Sequence, residues 1–131
     1  VAGAMSARGQ DPFAAFAPYF RKADIRIGNL ECVVATTGTA EEKPYTLRAD
    51  PRTLPVLKRH FDAVSLANNH SGDYGREAFA EMLGHLARAG LPTIGGGRNL
   101  REAHRPLIIE PGLHRDKRLG PNGAGPHAPV L

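Results

Sequence analysis

Cysteine, aromatic residues and long apolar runs are all scarce in this 131-residue chain. The single cysteine, Cys32, excludes a disulfide framework within the chain, and a small buried hydrophobe is its simplest interpretation. No apolar run approaches the length of a transmembrane helix, and no signal-peptide pattern occurs. The hydrophobic content of 41% is enough for the core of one ordinary domain.

The chain also lacks a concentrated patch of one charge. Its net charge is +4, but the basic residues are scattered, and only Arg115, Lys117 and Arg118 cluster. Nucleic-acid binding modules place basic residues on one face or stripe. We therefore expect no nucleic-acid partner, and a solvated basic surface is the simpler interpretation.

Helix and strand patterns alternate along residues 11–110. An acidic residue followed by proline, which is a helix-entry signal, occurs at Asp11 and again at Asp50. The predicted helices start near residues 11, 50, 76 and 98, and the predicted strands cover residues 25–30, 62–67, 91–94 and 106–110. This order predicts an α/β domain with a largely parallel sheet.

The segments between and beyond these elements have no clear period. Residues 32–43 are rich in Thr, Gly, Ala and Glu, which predicts a loop, and residues 45–48 are predicted to be a short extended segment. Residues 1–10 are predicted to be a disordered N-terminal end. Residues 111–131 contain four prolines and four glycines, so we expect a disordered or non-native tail.

Ligand-type side chains follow two of the predicted strands. Glu31 closes the first strand, and Asn68, Asn69 and His70 close the second, with Asp73 completing the turn. Parallel strands end at one edge of a sheet, which is where open α/β sheets bind ligands. Oxygen ligands suit hard divalent cations, and Mn, Fe and Zn also accept imidazole. The pattern is compatible with a metal site in which Glu31 supplies an anionic oxygen, His70 touches substrate and Asp73 fixes the tautomer of His70.

The same residues also have a purely structural interpretation. Asn, Ser, Gly and Asp are common turn formers, Asp73 could simply cap the following helix, and Glu31 could be a solvated carboxylate. Glycines 95–97 precede a predicted helix and could cradle the phosphate of a nucleotide. They lack the lysine of a P-loop and the dinucleotide-binding spacing, which favours a tight turn. From these residues alone, both a site and a simple turn remain open.

Four segments, taken in order, resemble a known family. They are residues 28–31 (Gly-Asn-Leu-Glu), 43–48 (Lys-Pro-Tyr-Thr-Leu-Arg), 61–75 (Phe-Asp-Ala-Val-Ser-Leu-Ala-Asn-Asn-His-Ser-Gly-Asp-Tyr-Gly) and 89–97 (Ala-Gly-Leu-Pro-Thr-Ile-Gly-Gly-Gly). Together they are similar to the CapA-type poly-γ-glutamate capsule-biosynthesis family, a branch of the calcineurin-like metallophosphoesterase superfamily. The resemblance covers residues 11–110.

The resemblance implies an αββα metallophosphoesterase-like sandwich with a mostly parallel sheet and a dinuclear centre of divalent metal ions (Mn, Fe or Zn). Glu31 and Asn69 match metal-ligand positions of the family. His70 matches its catalytic histidine, and Asp73 matches the acidic position that follows it. Asn29 and Asn68 match no ligand. Implied partners are poly-γ-glutamate or a related anionic polymer and capsule-synthesis membrane proteins, with a location at the cell envelope.

The chain also departs from the family pattern. The Gly-Asp motif that opens the family has no match in residues 1–9, and the later histidine motifs would lie beyond residue 131. We therefore expect a partial domain, an incomplete and inactive fragment that does not hold both metals. The missing motifs also motivate an alternative, a non-catalytic module on the same fold that binds polymer or partner proteins. Whether the chain is an enzyme is left open at this point.

Overall fold

The structure, a computed structural model, describes residues 11–111. Its strands are β1 (Ile27–Asn29), β2 (Val33–Val34), β3 (Arg48–Ala49), β4 (Ala63–Ser65) and β5 (Thr93–Ile94), and its α-helices are α1 (Ala17–Phe20), α2 (Leu54–His60), α3 (Gly75–Arg88) and α4 (Leu100–Ala103). Short 3-10 turns, Ala14–Phe16 and Pro51–Thr53, lead into α1 and α2. The predictions for residues 1–10, and for the tail beyond Pro111, fall outside the described residues.

Every strand pair in the described part of the chain is parallel. One sheet has the order β1-β4-β5, with Gly28 opposite Val64 and Val64 opposite Thr93. A second, two-stranded sheet pairs β2 with β3. Helix α3 connects β4 to β5, which run in the same direction, as parallel pairing requires. The predicted α/β class with a largely parallel sheet is confirmed.

The loop predicted over residues 32–43 contains β2, so that part of the prediction is wrong. Val33 and Val34 are fully buried, and β2 packs against α3. Two adjacent valines buried on both sides do not alternate with polar residues, which is why no strand period marks them. Cys32 is half-buried beside this core, and burial raises the pKa of its thiol, as expected of a small hydrophobe.

Helix α3 is the longest element of the fold and matches the prediction to within one residue at each end. Met82 and Leu86 are fully buried, and Phe79 and Leu83 are partly buried against the same core. Gly90 ends the helix with φ of 62°, in the left-handed region that favours glycine. No helix within residues 11–111 is long and apolar enough to cross a membrane.

The aromatic residues at the start of the chain pack on the end of α2. Phe13 and Phe20 lie 5.4 and 5.6 Å, centroid to centroid, from the ring of His60. Phe13, Phe16 and Phe20 recur at helical spacing, which predicts that all three are core residues, but Phe16 is 53% exposed, so for Phe16 that prediction is wrong. The regular helix starts only at Ala17, because Pro18 lacks an N–H and fits only the first turn.

The strand predicted over residues 106–110 is absent from the described structure. Ile108 is 87% exposed, and no described strand pairs with this segment. An apolar run becomes a buried strand only where a neighbouring strand is available, and its sequence cannot supply that neighbour. The short helix predicted before it is present as α4, with the side chain of Asn99 accepting from Glu102 N at 2.9 Å.

Candidate functional site

The ends of β1 and β4 meet at one edge of the main sheet. The two strands are paired so that Asn29 lies opposite Ser65. Asn68, three residues further along, donates from Nδ2 to Asn29 Oδ1 at 3.1 Å and to the Leu30 carbonyl at 3.0 Å. The two polar strand ends, which lie 39 residues apart in sequence at this contact, therefore form one cluster.

Glu31 joins this cluster through Asn29. Asn29 Nδ2 donates to Glu31 Oε2 at 3.2 Å, so two carboxamides in series connect the carboxylate to the turn after β4. The side chain of Glu31 is exposed, and only its Oε2 takes part in a contact with a described residue. The Glu31 carboxylate is thus on the exposed side of the cluster, and its Oε1 is available to bind a ligand.

Asn68 organises the turn, a role that the sequence reasoning missed. Its Oδ1 accepts from His70 N at 3.0 Å and from Ser71 Oγ at 3.0 Å, while its Nδ2 contacts β1 as described above. An Asn that binds the backbone N–H two residues later is a known turn signal, so the first contact was accessible from sequence. The contact across to Asn29 was not, because it depends on strand register.

Asp73 lies at the centre of the site, with a side chain that is fully buried. Its Oδ2 accepts from His70 Nδ1 at 2.8 Å and from Leu47 N at 2.6 Å, and its Oδ1 forms an ion pair with Lys43 Nζ. Helix α3 instead begins after Tyr74, without a side-chain cap. The interpretation of Asp73 as a simple helix cap is therefore wrong.

These contacts fix the ionisation of Asp73 and the tautomer of His70. Burial alone would raise the pKa of Asp73, but the hydrogen bonds from Lys43, His70 and Leu47 N lower it to about 2. An ionised carboxylate only accepts hydrogen bonds, so Nδ1 of His70 must carry the proton that it donates. The Nε2 atom of His70 is then the nitrogen left for a ligand or substrate.

The low pKa of Asp73 predicts a loss of stability in acid. A folded-state pKa of about 2 lies below the ordinary value of 3.8, so the stabilisation is complete above about pH 5 and is lost as the pH falls towards 2. We expect Asp73→Asn to remove this part of the pH dependence of unfolding. Urea denaturation between pH 6 and 3 measures it. Parallel pH curves for both proteins would contradict the assignment.

Lys43 connects the segment before β3 to the polar turn. Besides its ion pair with Asp73, its Nζ donates to the main-chain oxygen of Asn69 at 3.0 Å. At the other end of this segment, the Glu81 carboxylate accepts from the backbone N–H and hydroxyl groups of Thr36 and Thr37. Those hydrogen bonds hold the pKa of Glu81 well below its usual range. The segment is thus fixed at both ends, to the site and to α3.

Some donor atoms at this edge of the sheet are suitable ligands for a hard cation, but the set is incomplete. Glu31 offers a carboxylate oxygen, the exposed side chain of Asn69 offers a carboxamide oxygen that contacts no described residue, and His70 offers Nε2. Such atoms suit Mn, Fe or Zn. However, residues 11–111 contain no group of three or more His, Cys, Asp or Glu side chains placed to hold a metal ion. The described residues therefore offer part of a ligand set.

Glycines 95–97 form a tight turn that packs closely on the end of β4. Gly95 has φ of 72°, and a Cβ on it would lie 2.6 Å from Ala67 Cβ. A Cβ on Gly96 would lie 2.8 Å from Leu66 Cβ. Helix α4, which follows, has only four residues. Close packing accounts for these glycines, and the structure favours the tight-turn interpretation over a phosphate cradle.

Gly95→Ala is expected to lower the free energy of unfolding by about 2–4 kcal/mol, since it adds left-handed strain and an overpacked methyl group. Gly72→Ala is the matched control, because Gly72 is exposed, has ordinary φ and has no atom within 4 Å of a built Cβ. Chemical denaturation of both variants measures the difference. Equal stability of the two would show that the close approach at Gly95 is wrong.

The sequence matches a family model over most of its length. Residues 2–120 match the model described as "Bacterial capsule synthesis protein PGA_cap". The chain belongs to the PGA_cap family. It is 33% identical over 99 residues to a probable polyglutamine synthesis accessory protein of Mycobacterium tuberculosis, a match that covers 74% of the chain and 26% of the relative.

Two other relatives of the PGA_cap chain carry the name CapA. The PGA biosynthesis protein CapA of Bacillus subtilis is 31% identical over 96 residues, covering 71% of the chain and 25% of that protein. The capsule biosynthesis protein CapA of Bacillus anthracis is 28% identical over 95 residues, covering 69% of the chain and 23% of that protein. The chain thus spans about a quarter of the length of the curated relatives it matches. The resemblance found in the sequence motifs is confirmed.

Proposed function

We propose that this PGA_cap chain contributes part of a metallophosphoesterase-type dinuclear metal site to a CapA-like protein of poly-γ-glutamate capsule biosynthesis or export. The observation that carries the proposal is the hydrogen-bonded link from Glu31 through Asn29 and Asn68 to the turn that presents His70. The names of the relatives, which refer to polyglutamine synthesis, PGA biosynthesis and capsule biosynthesis, support the biological role.

Glu31 and Asn69 are the proposed metal ligands among the described residues. Bound divalent ions would supply an acidified water and would stabilise negative charge on a phosphorus or acyl centre. Because the described residues alone hold too few ligands for two ions, the remaining ligands would come from outside residues 11–111. We therefore propose that residues 11–111 form an incomplete and inactive part of the site.

His70 and Asp73 have separate proposed roles. His70 Nε2 would hydrogen-bond the reacting oxygen of the substrate, or give it a proton as it leaves. Asp73 would hold the proton on Nδ1 and keep the ring in one orientation. Lys43 would keep Asp73 ionised and in place.

The proposal is tested by measuring the metal content of the gene product purified from the cells that produce it. We expect Glu31→Gln to remove most of the bound Mn, Fe or Zn measured by elemental analysis, because it replaces the anionic oxygen among the proposed ligands with a neutral amide. Glu42→Gln is the control, since Glu42 is an exposed carboxylate that contacts no described residue. Equal metal content in the wild type and both variants would contradict the role of Glu31.

The second candidate is a non-catalytic module that binds polymer or partner proteins, including membrane proteins of capsule synthesis at the cell envelope. The observation that favours it is the lack of a complete metal-ligand group among residues 11–111. A metal-free gene product that still binds poly-γ-glutamate would support this candidate over the metal-dependent one.

A further inference from the structure

A cavity of about 620 Å³ lies next to the candidate metal site and takes no part in it. Its walls are the turn at Ser71, one face of α3 and the start of the segment that leads to α4. We call it the arginine cavity, because Arg76 and Arg98 line it. Its volume falls within the range of pockets that bind small ligands, about 300–1,000 Å³.

The arginine cavity combines an apolar wall with free positive charge. Phe79, Ala80 and Leu83 of α3 supply the apolar wall. Arg76 and Arg98 are exposed, and neither guanidinium group has a hydrogen bond or ion pair with another residue of the described range. Guanidinium groups bind carboxylates in two-pronged pairs, and such a pair is stronger than a neutral hydrogen bond.

The local field in the arginine cavity also favours an anion. Gly75 and Arg76, which line the cavity, are the first two residues of the 14-residue helix α3, whose amino end carries partial positive charge. Among the described residues that line the cavity, Glu41 alone carries a carboxylate, and it opposes this effect. Two guanidinium groups against one carboxylate leave a net positive wall.

The position of the arginine cavity relates it to the candidate metal site. Ser71 and Gly72 line the cavity, and they lie in the same turn as His70 and Asp73. A ligand in the cavity would therefore lie beside the groups proposed to act on substrate. It would contact the chain through side chains that the metal site does not use.

We propose that the arginine cavity binds a short γ-linked glutamyl segment. This inference rests on the proposed role in poly-γ-glutamate synthesis. Each γ-glutamyl unit carries one carboxylate and two methylene groups in its main chain, so it can pair with a guanidinium group while its methylene groups contact Phe79 and Leu83. Two other ligands serve as comparisons. Inorganic phosphate carries negative charge but makes no apolar contact, and α-linked glutamate carries its carboxylates at a different spacing.

The test measures binding of synthetic γ-linked triglutamate to the full chain in metal-free buffer, by titration calorimetry. We expect Arg76→Gln and Arg98→Gln each to weaken binding by about tenfold, which corresponds to about 1.4 kcal/mol. Arg101→Gln is the matched control, because Arg101 is exposed, carries the same charge and does not line the cavity. It should bind as the wild type does.

Each other result overturns the proposal. No binding of the γ-linked trimer, or equal weakening by Arg101→Gln, would mean that the cavity is no specific site. Binding of α-linked triglutamate or inorganic phosphate as tight as that of the γ-linked trimer would reduce it to a general anion site. Because the titration is run in metal-free buffer and the metal analysis without trimer, the two tests can fail independently.

Discussion

Asp73→Ala is expected to lower the free energy of unfolding of the chain by about 3 kcal/mol, since it removes the carboxylate that accepts three hydrogen bonds at a buried position. The Asp73 side chain is fully buried and is bound by Lys43, His70 and the backbone N–H of Leu47. All three donors lose their acceptor in the variant, and the shortened side chain leaves a gap at a fully buried position. Urea denaturation at pH 7 measures the change.

Asp50→Ala is the matched control for this prediction. Asp50 is also an aspartate that accepts hydrogen bonds, but it is exposed and caps the turn before α2 through Arg52 N at 2.8 Å. Its loss removes a helix cap, but the donors involved are exposed and water can replace the lost acceptor, so we expect a clearly smaller effect. If both variants lost the same stability, Asp73 would not hold the segment between β2 and β3 against the polar turn.

Under the proposed function, His70→Ala is expected to lower any phosphodiesterase turnover of the metal-loaded gene product by about 10²–10⁴-fold, the usual contribution of a positioned acid or base. The reason is that Nε2 is the free ring nitrogen, while Nδ1 is committed to Asp73. Metal content should change little, because Glu31 and Asn69 remain.

His104→Ala is the control for His70→Ala, since His104 is exposed at the end of α4 and takes part in none of the contacts described for the site. It should retain wild-type turnover. Unchanged turnover in His70→Ala would remove His70 from the mechanism. A loss of turnover accompanied by equal loss of metal would instead make His70 a ligand.

The sequence predicted the elements whose signals are local. Helix α3 has a regular apolar face and a glycine end signal, and its bounds were correct to within one residue. The prediction that Asp50 caps the start of the turn into α2 was also correct, because Asp50 and the following proline act within one turn. The family was recognised from short motifs in order, which need no three-dimensional information.

Features that depend on distant partners were not predictable from one sequence. Val33 and Val34 form a strand only because Arg48 and Ala49 pair with them and α3 covers them. Asn68 gains its role from the register that places β1 beside β4, and Lys43 gains its role from reaching Asp73, 30 residues further along the chain. The strand predicted over residues 106–110 was wrong for the opposite reason. The segment is apolar, but no strand of the described structure pairs with it.

Anomalous diffraction from crystals of the gene product grown with Mn²⁺ tests the central claim most directly. We expect an anomalous peak about 2.0–2.3 Å from an oxygen of Glu31, with the Asn69 side-chain oxygen in the same coordination sphere and His70 Nε2 facing the substrate side. A crystal that shows Mn²⁺ bound elsewhere, with Glu31 and Asn69 left in solvent, would contradict the account.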